Sequence, residues 1–224
     1  MSRSSGSTQP GRWNSSIRTD ESQTTMPSLL LATNNTGKVA EIKALLAELD
    51  LTLLIPSDIG LSLEVPEDGQ TYAENATQKA LAFAQASGII SLGDDSGLEV
   101  DALAGQPGLY SHRFCPIPNA SDADRRNYLL EQLRDKPHPW TARFKATVAV
   151  ATPAGKVALA TGQCEGEIIL EERGANGFGY DPIFLVSETG RTMAELGMGE
   201  KNRLSHRGRA VQNAIPILKT TLEL

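Results

Sequence analysis

A hairpin pattern follows a strand–helix–strand pattern in this chain, and the combination restricts the fold to a mixed sheet. The apolar runs 29–32 and 51–55 predict two short strands. Apolar residues recur between them at helical spacing, at Val39, Ile42, Leu45, Leu46 and Leu49. Further on, predicted strands over 144–151 and 156–161 flank the turn Pro153-Ala154-Gly155, which predicts an antiparallel hairpin. Strands joined through a helix are parallel, so a sheet that holds both units is mixed.

Capping patterns predict where further helices begin. Thr71 and Glu74 have the spacing of a capping box, so a helix is predicted to begin at Thr71. Ser121 and Asp124 predict the start of another helix in the same way. A last amphipathic helix is predicted from about residue 205.

The segment between the second helix and the hairpin reads as two strands around a turn. Residues 89–92 predict a strand, 93–97 a turn, and 98–100 another strand. With the other elements, this predicts an α/β fold in which a mixed, twisted sheet is flanked by helices.

The first 27 residues differ in composition from the rest of the chain. They contain four apolar side chains among many serines, threonines and glycines. Such a segment buries too little surface to offset the entropy of ordering, so 1–27 is predicted to be a disordered tail. Residues 28–224 contain no linker and no repeat, which predicts one domain.

Charge and cysteine content exclude several classes of protein. The chain has 21 basic and 27 acidic residues and a net charge of −6, which argues against a general binder of nucleic acid polymers. No run of apolar residues is long enough for a membrane span. Cys115 and Cys164 lie far apart, so a zinc site and a disulfide framework are not expected, and a cytoplasmic location is predicted.

The turn after the first predicted strand is a candidate anion site. Its residues are Thr33, Asn34, Asn35, Thr36, Gly37 and Lys38. A strand-to-helix turn directs backbone N–H groups and the positive helix end at one point, and Lys38 adds a full charge. It is not a Walker A loop, because Ala32 occupies the first glycine position and Val39 follows the lysine. A plain turn without a ligand is the alternative.

The adjacent carboxylates of Asp94-Asp95-Ser96-Gly97 are a candidate metal site. Such close like charges repel each other unless a cation or hydrogen bonds compensate them. Mg²⁺ is the predicted cation, because it prefers oxygen ligands and takes one or two carboxylates together with substrate phosphates. Glu67 is a candidate for a further carboxylate. A solvated acidic turn is the alternative.

Two hydrolase motifs resemble this segment without fitting it. Asp95-Ser96-Gly97 matches the tripeptide of aspartic proteases, but it occurs once, so a protease would need a second copy of the chain. In Gly93-Asp94-Asp95-Ser96-Gly97 the serine stands fourth, whereas a nucleophile elbow needs it third. Both hydrolase classes are therefore disfavoured.

The glycine-rich loop 176–182 carries two aromatic residues. Phe178 and Tyr180 stand next to glycines, so their rings can stack on a flat base, which contributes ~1–3 kcal/mol per base. The alternative is that both rings anchor the loop to the core.

The segment 200–209 gathers four basic residues and a histidine in a chain that is acidic elsewhere. Lys201 can act as a mobile point charge for phosphate, and Arg207 can donate paired hydrogen bonds to a carbonyl group. A solvated basic helix face is the alternative.

In order and spacing, these clusters resemble the inosine triphosphate pyrophosphatase family, also called XTP/dITP diphosphatases, over residues 28–222. Six motifs carry the resemblance: Thr33-Asn34-Asn35-Thr36-Gly37-Lys38, Glu74-Asn75-Ala76, Asp94-Asp95-Ser96-Gly97-Leu98, Gly108-Leu109-Tyr110-Ser111, Gly177-Phe178-Gly179-Tyr180-Asp181-Pro182 and Lys201…Ser205-His206-Arg207. Each motif is modest alone, but six in order are specific. His112 departs from the pattern, because a small residue is common there.

The resemblance implies an activity, a fold and a role for each motif. The activity is hydrolysis of ITP, dITP and XTP to the nucleoside monophosphate and pyrophosphate, with Mg²⁺ as cofactor. The fold is a two-lobed mixed α/β sheet with the site in the cleft between the lobes, usually as a homodimer. Asp95 is implied as catalytic base and metal ligand, with Glu67 as the second metal carboxylate. The remaining substrate contacts are implied at residues 33–38, Ser96, Phe178, Gly179, Tyr180, Asp181, Lys201, His206 and Arg207.

The same motifs suggest how substrate would be selected. Lys38 and Lys201 are predicted to stabilise the leaving pyrophosphate, and His206 and Arg207 to read the 6-oxo group of the purine. Two other functions are open. Maf-like nucleotide pyrophosphatases attack the same bond, but Ser205-His206-Arg207 argues against them. A purine sensor without turnover is disfavoured by the carboxylate cluster.

Overall fold

The structure, a computed structural model, describes Met1 and residues 26–224. The predicted tail over 1–27 falls mostly on residues that lie outside this described part. One sheet is built from β1 (Ser28–Leu31), β2 (Thr52–Leu54), β3 (Ser91–Val100), β4 (Pro107–Gly108), β5 (Trp140–Ala151), β6 (Val157–Ile168), β7 (Phe184–Val186) and β8 (Arg191–Thr192). The helices are α1 (Thr36–Leu45), α2 (Tyr72–Ser87), α3 (Asp122–Leu133), α4 (Met198–Leu204) and α5 (His206–Leu222).

The sheet is mixed, as the sequence predicts. Its strand order is β2-β1-β3-β5-β6-β7-β8, and β4 pairs with β3 outside that path. Strand β1 runs parallel to β2 and β3, whereas the pairs β3–β5, β5–β6, β6–β7 and β7–β8 are antiparallel. The predicted hairpin is confirmed and is longer than expected, because its pairing continues from Ala151 and Val157 to Trp140 and Ile168.

The predicted helix starts are also found, with one difference in capping. The Thr71 Oγ1 atom accepts a hydrogen bond from the Glu74 N–H at 3.1 Å, but the Glu74 carboxylate accepts from the Gln70 N–H. Ser121 and Asp124 cap α3 reciprocally. Short α4 was not predicted. No helix in the described part of the chain is long and apolar enough to cross a membrane.

The turn predicted over 93–97 is wrong, because β3 runs through it as one continuous strand. Gly93 lies within the strand, and its missing side chain allows α2 to pack closely on β3. A Cβ atom at this position would lie 2.4 Å from the Ala76 carbonyl oxygen of α2. The helix therefore packs directly on the strand, and this long-range contact overrides the local preference for a turn.

The two largest of the four hydrophobic clusters among the described residues form the cores of two lobes that share the long strands. In β3, Leu92 belongs to the first core and Leu98 to the second. In β5, Val150 belongs to the first core and Trp140 to the second. Helices α1 and α5 pack on the first core, and α3 packs on the second. The middle of β3, which carries the two aspartates, lies at the change from one core to the other.

Candidate active site

A cavity of about 910 Å³ is lined by the turn 33–38, the middle of β3 and residues 177–181. Its volume falls in the range of small-molecule sites. Every residue predicted for the site lines it: Thr33, Asn34, Asn35, Thr36, Gly37, Lys38, Glu67, Asp95, Ser96, Phe178, Gly179, Tyr180, Asp181, Lys201, His206 and Arg207. The fold thus brings together segments that lie far apart in sequence.

The turn 33–38 forms the start of α1, as predicted. Asn35 caps the helix, and its Oδ1 atom accepts a hydrogen bond from the Lys38 N–H at 3.0 Å. Gly37 lets the aromatic loop approach this turn, because a Cβ atom there would lie 2.6 Å from Cδ1 of Phe178. The helix start and the ring consequently line one continuous wall of the cavity.

Asp95 is held by two residues of α2. Asn75 donates to its Oδ2 atom at 3.1 Å, and the Lys79 ammonium lies 3.0 Å from its Oδ1 atom. The same ammonium lies 2.8 Å from Oε1 of Glu67. Burial raises the pKa of Asp95 and outweighs the opposing effect of Lys79. Asp95 is therefore a candidate proton acceptor with two side chains that fix its orientation.

Sequence reasoning assigned no role to Asn75 and did not identify Lys79. The signal that could have found Lys79 is its position on the face of α2 that also carries Ala76, Ala80 and Phe83. A lysine on a buried apolar face needs a charged partner. Here the partners are the two carboxylates of the site.

Asp94 faces the opposite side of β3, since side chains alternate along a strand. Its carboxylate pairs with Arg207 at 3.2 Å and with the Lys38 ammonium at 2.7 Å. Although burial alone would raise it, the pKa of Asp94 is held well below its ordinary value by Arg207 and Lys38. The idea that one metal ion compensates both aspartates is therefore wrong, because cationic side chains already compensate Asp94.

Lys201 is buried, which corrects its prediction as a mobile charge. Its ammonium lies 2.6 Å from Glu41 and 2.6 Å from Asp181, and its side chain is 5% exposed. Glu41 also pairs with Arg207 at 2.6 Å. Glu41 was missed by the sequence reasoning; the available signal was an acidic residue beside the apolar Ile42 of α1.

Arg207 is likewise committed to the protein. Its guanidinium donates to Asp94, to Glu41 and, at 2.8 Å, to Oγ of Ser96. It also lies 5.7 Å from the centroid of the Phe178 ring. The predicted paired donation to a substrate carbonyl would compete with these bonds, and it stays a prediction.

His206 lines the cavity, and its Nδ1 atom is buried. Its ring stacks on Phe144, with centroids 4.6 Å apart and planes 13° apart. The buried Nδ1 atom has no hydrogen-bond partner among the described residues. Burial lowers the pKa of His206 well below its ordinary value, so the ring is neutral near pH 7. A buried unpaired nitrogen on a binding-site wall is a candidate contact for a ligand.

The neutral state of His206 makes protein stability depend on pH. Below about pH 6.5 the unfolded chain takes up a proton that folded His206 does not, so the free energy of unfolding should decrease as the pH falls. Urea unfolding at about pH 7.5 and about pH 5.5 measures this loss. The His206→Gln variant should lose less stability than the wild type over that interval; an identical loss would contradict the assignment.

The charges that line the cavity balance among the described residues. Five are cationic and five are acidic, in a list that reads Lys38, Lys79, Arg125, Lys201, Arg207, Glu41, Glu67, Asp95, Asp122 and Asp181. A polyanionic ligand would therefore need a cation of its own. Glu67 and Asp95 converge on one cationic group, the Lys79 ammonium. Their oxygen atoms are of the kind that Mg²⁺ accepts together with phosphate and water, but a cation bound by this pair would have to displace the ammonium from between the two carboxylates.

These features define an α/β protein in which one cleft brings together a helix start, carboxylates and an aromatic loop. The chain belongs to the Ham1 family, whose profile matches residues 29–217. The membership confirms the resemblance inferred from the motifs.

Individual relatives agree in sequence and in structure. The chain is 48% identical over 191 residues to a dITP/XTP pyrophosphatase of Desulforamulus reducens, covering 85% of this chain and 94% of the relative. It is also 48% identical over 187 residues to a dITP/XTP pyrophosphatase of Geobacter sulfurreducens, covering 83% and 94%. The solved structure of a HAM1 protein from Coxiella burnetii superposes with a TM-score of 0.78 at 38% identity, covering 87% of this chain and all of that one.

Proposed function

We propose that this protein hydrolyses the non-standard purine nucleoside triphosphates ITP, dITP and XTP to the monophosphate and pyrophosphate. The observation that carries the proposal is that one cavity joins an anion-binding helix start and a carboxylate pair to an aromatic loop with an unpaired histidine nitrogen. The relatives named dITP/XTP pyrophosphatase support the same activity.

At the phosphate end, Asp95 accepts a proton from the water that attacks the α-phosphorus. Asn75 and Lys79 hold its carboxylate in one orientation through bonds of 3.1 and 3.0 Å. The helix start and Lys38 bind the phosphates and stabilise the charge that develops on the leaving pyrophosphate. Glu67 and Asp95 would hold Mg²⁺, which when bound neutralises charge and polarises the phosphoryl oxygens.

At the base end, Phe178 stacks on the purine ring and His206 reads its edge. A neutral imidazole has one donor and one acceptor nitrogen, and in its Nδ1–H tautomer His206 donates a hydrogen bond to the 6-oxo oxygen of the purine. Adenine carries an amine donor in that position, where a 6-oxopurine carries an oxygen acceptor. The amine would face the imidazole N–H donor and leave buried groups unpaired, which reduces kcat/KM by orders of magnitude. Lys201, which the sequence assigns to the leaving pyrophosphate, is proposed for this end instead, since its ammonium lies 5.3 Å from the Phe178 ring centroid.

The products distinguish this activity from its alternatives. Incubation with ITP and Mg²⁺, followed by phosphorus NMR, should give IMP and pyrophosphate. IDP and inorganic phosphate would contradict the position of cleavage. Binding of ITP without any product would favour a purine sensor.

Removal of the metal should abolish turnover, and Glu67 should set how much metal is needed. With excess EDTA we expect no pyrophosphate release, and Mg²⁺ should restore it. Glu67→Gln should raise the Mg²⁺ concentration for half-maximal rate about tenfold, because one of two carboxylate ligands is lost. The neighbouring exposed Asp68→Asn serves as the control. An unchanged Mg²⁺ requirement in Glu67→Gln would remove Glu67 from the metal site.

We also propose a homodimer in the cytoplasm that acts on free nucleotides. The net charge of −6 supports free nucleotides over nucleic acid polymers, because a polymer needs an extended basic surface. Size-exclusion chromatography with light scattering tests the dimer.

A further inference from the structure

The aromatic loop 176–182 is bound by one face of α3. The Oδ2 atom of Asp122 accepts a hydrogen bond from the Gly179 N–H at 2.7 Å. Nη1 of Arg126 donates to the Gly179 carbonyl oxygen at 2.9 Å. The two side chains stand four positions apart, so they lie on the same face of the helix. Both backbone groups of a single loop residue are thus bound by one helix.

Both side chains are themselves fixed in place. Arg126 binds the Glu172 carboxylate through two nitrogens, at 2.7 and 3.0 Å. Asp122 accepts a second bond, at 2.7 Å, from Arg125, which also donates to the His112 carbonyl oxygen at 2.7 Å. Bidentate arginine–carboxylate pairs restrict orientation more than single contacts do. The side chains of Asp122 and Arg126 are therefore held in one orientation toward Gly179.

The loop is also anchored by two hydrogen bonds on either side of Gly179, close to the Phe178 ring. The Phe178 N–H donates to Oδ2 of Asp181 at 3.0 Å, and the Tyr180 hydroxyl donates to the Ser111 carbonyl oxygen at 2.8 Å. The Gly179 N–H and carbonyl, between those two residues, have no backbone partner among the described residues. Among the described residues, Asp122 and Arg126 are the hydrogen-bond partners of these two Gly179 groups.

We propose that Asp122 and Arg126 are positioning residues that fix Gly179 and thereby hold the Phe178 ring where it stacks on the purine. The inference rests on the proposed function, since it assigns these residues to the base end of that same site. Asp122 lines the cavity, but the bonds of Asp122 and Arg126 go to Arg125, Glu172 and Gly179. Neither residue bonds to the side chains of the phosphate end, which are Lys38, Lys79, Glu67 and Asp95. Loss of the pair should weaken recognition of the base and leave recognition of the phosphates unchanged.

The test compares Arg126→Gln and Asp122→Ala with the wild type. For both variants KM for ITP should rise about tenfold with kcat within about threefold, because only part of a stacking contact is lost. Inhibition by inorganic tripolyphosphate, which has no base, should keep its Ki. Asp122→Asn keeps an acceptor for the Gly179 N–H and should restore KM. Arg134→Gln, an exposed arginine of the next turn beyond α3, is the matched control.

Three results would overturn the inference. One is an unchanged KM for ITP in both variants. Another is a parallel rise of the ITP KM and the tripolyphosphate Ki, which a general loosening of the cleft would produce; thermal unfolding of each variant identifies that case independently. Absence of ITP hydrolysis by the wild type would overturn the proposed function, and this inference with it.

Discussion

Replacing Asp95 with asparagine should reduce kcat for ITP by at least about a hundredfold. The substitution preserves shape but removes the proton acceptor, and general-base catalysis contributes about 10²–10⁴ in rate. It also removes one of two carboxylates from the proposed cation site and leaves Lys79 with Glu67 alone. Steady-state pyrophosphate release at saturating Mg²⁺ measures the effect.

The control for Asp95→Asn is Asp135→Asn, because Asp135 is exposed. It should retain wild-type kcat. Circular dichroism and thermal unfolding should show that Asp95→Asn remains folded, since a neutral amide replaces a carboxylate that is 6% exposed. Wild-type turnover by Asp95→Asn would remove Asp95 from the chemistry.

Replacing Arg207 with methionine should destabilise the fold by about 3–5 kcal/mol, as expected when one partner of a buried ion pair is removed. Arg207 is 2% exposed and compensates the carboxylates of Asp94 and Glu41. Both carboxylates would stay buried, Asp94 with Lys38 and Glu41 with Lys201. Urea unfolding at pH 7 measures the loss.

Arg203 provides a matched control for Arg207, since it lies four positions away and is exposed. Arg203→Met should change the free energy of unfolding by less than about 0.5 kcal/mol, as is usual for surface substitutions. If Arg207→Met lost no more than this control, the buried network would not stabilise the fold as argued.

The parts of the site that sequence predicts are those built from consecutive residues. The turn 33–38 forms as predicted because a strand, a turn and a helix follow one another. The loop around Phe178 was likewise visible from its glycines. Both features depend on residues that are adjacent in sequence, so a short sequence motif is enough to predict them.

The parts that sequence reasoning missed depend on pairing between distant elements. Lys79 meets Glu67 and Asp95 only because α2 packs on β3, and Glu41 meets Lys201 only because α1 lies beside α4. The strand through 93–97 was missed for the same reason. A charged residue on a buried helix face indicates that a partner exists, but the partner's identity comes from the topology of the sheet.

Substrate selectivity tests the central claim most directly. Pyrophosphate release is measured with ITP, XTP, GTP and ATP at equal Mg²⁺, and kcat/KM is compared. We expect kcat/KM for ITP and XTP to exceed that for ATP by at least about a hundredfold, because the proposed role of His206 and the aromatic loop is to select a 6-oxopurine. Equal kcat/KM for ITP and ATP would contradict the account.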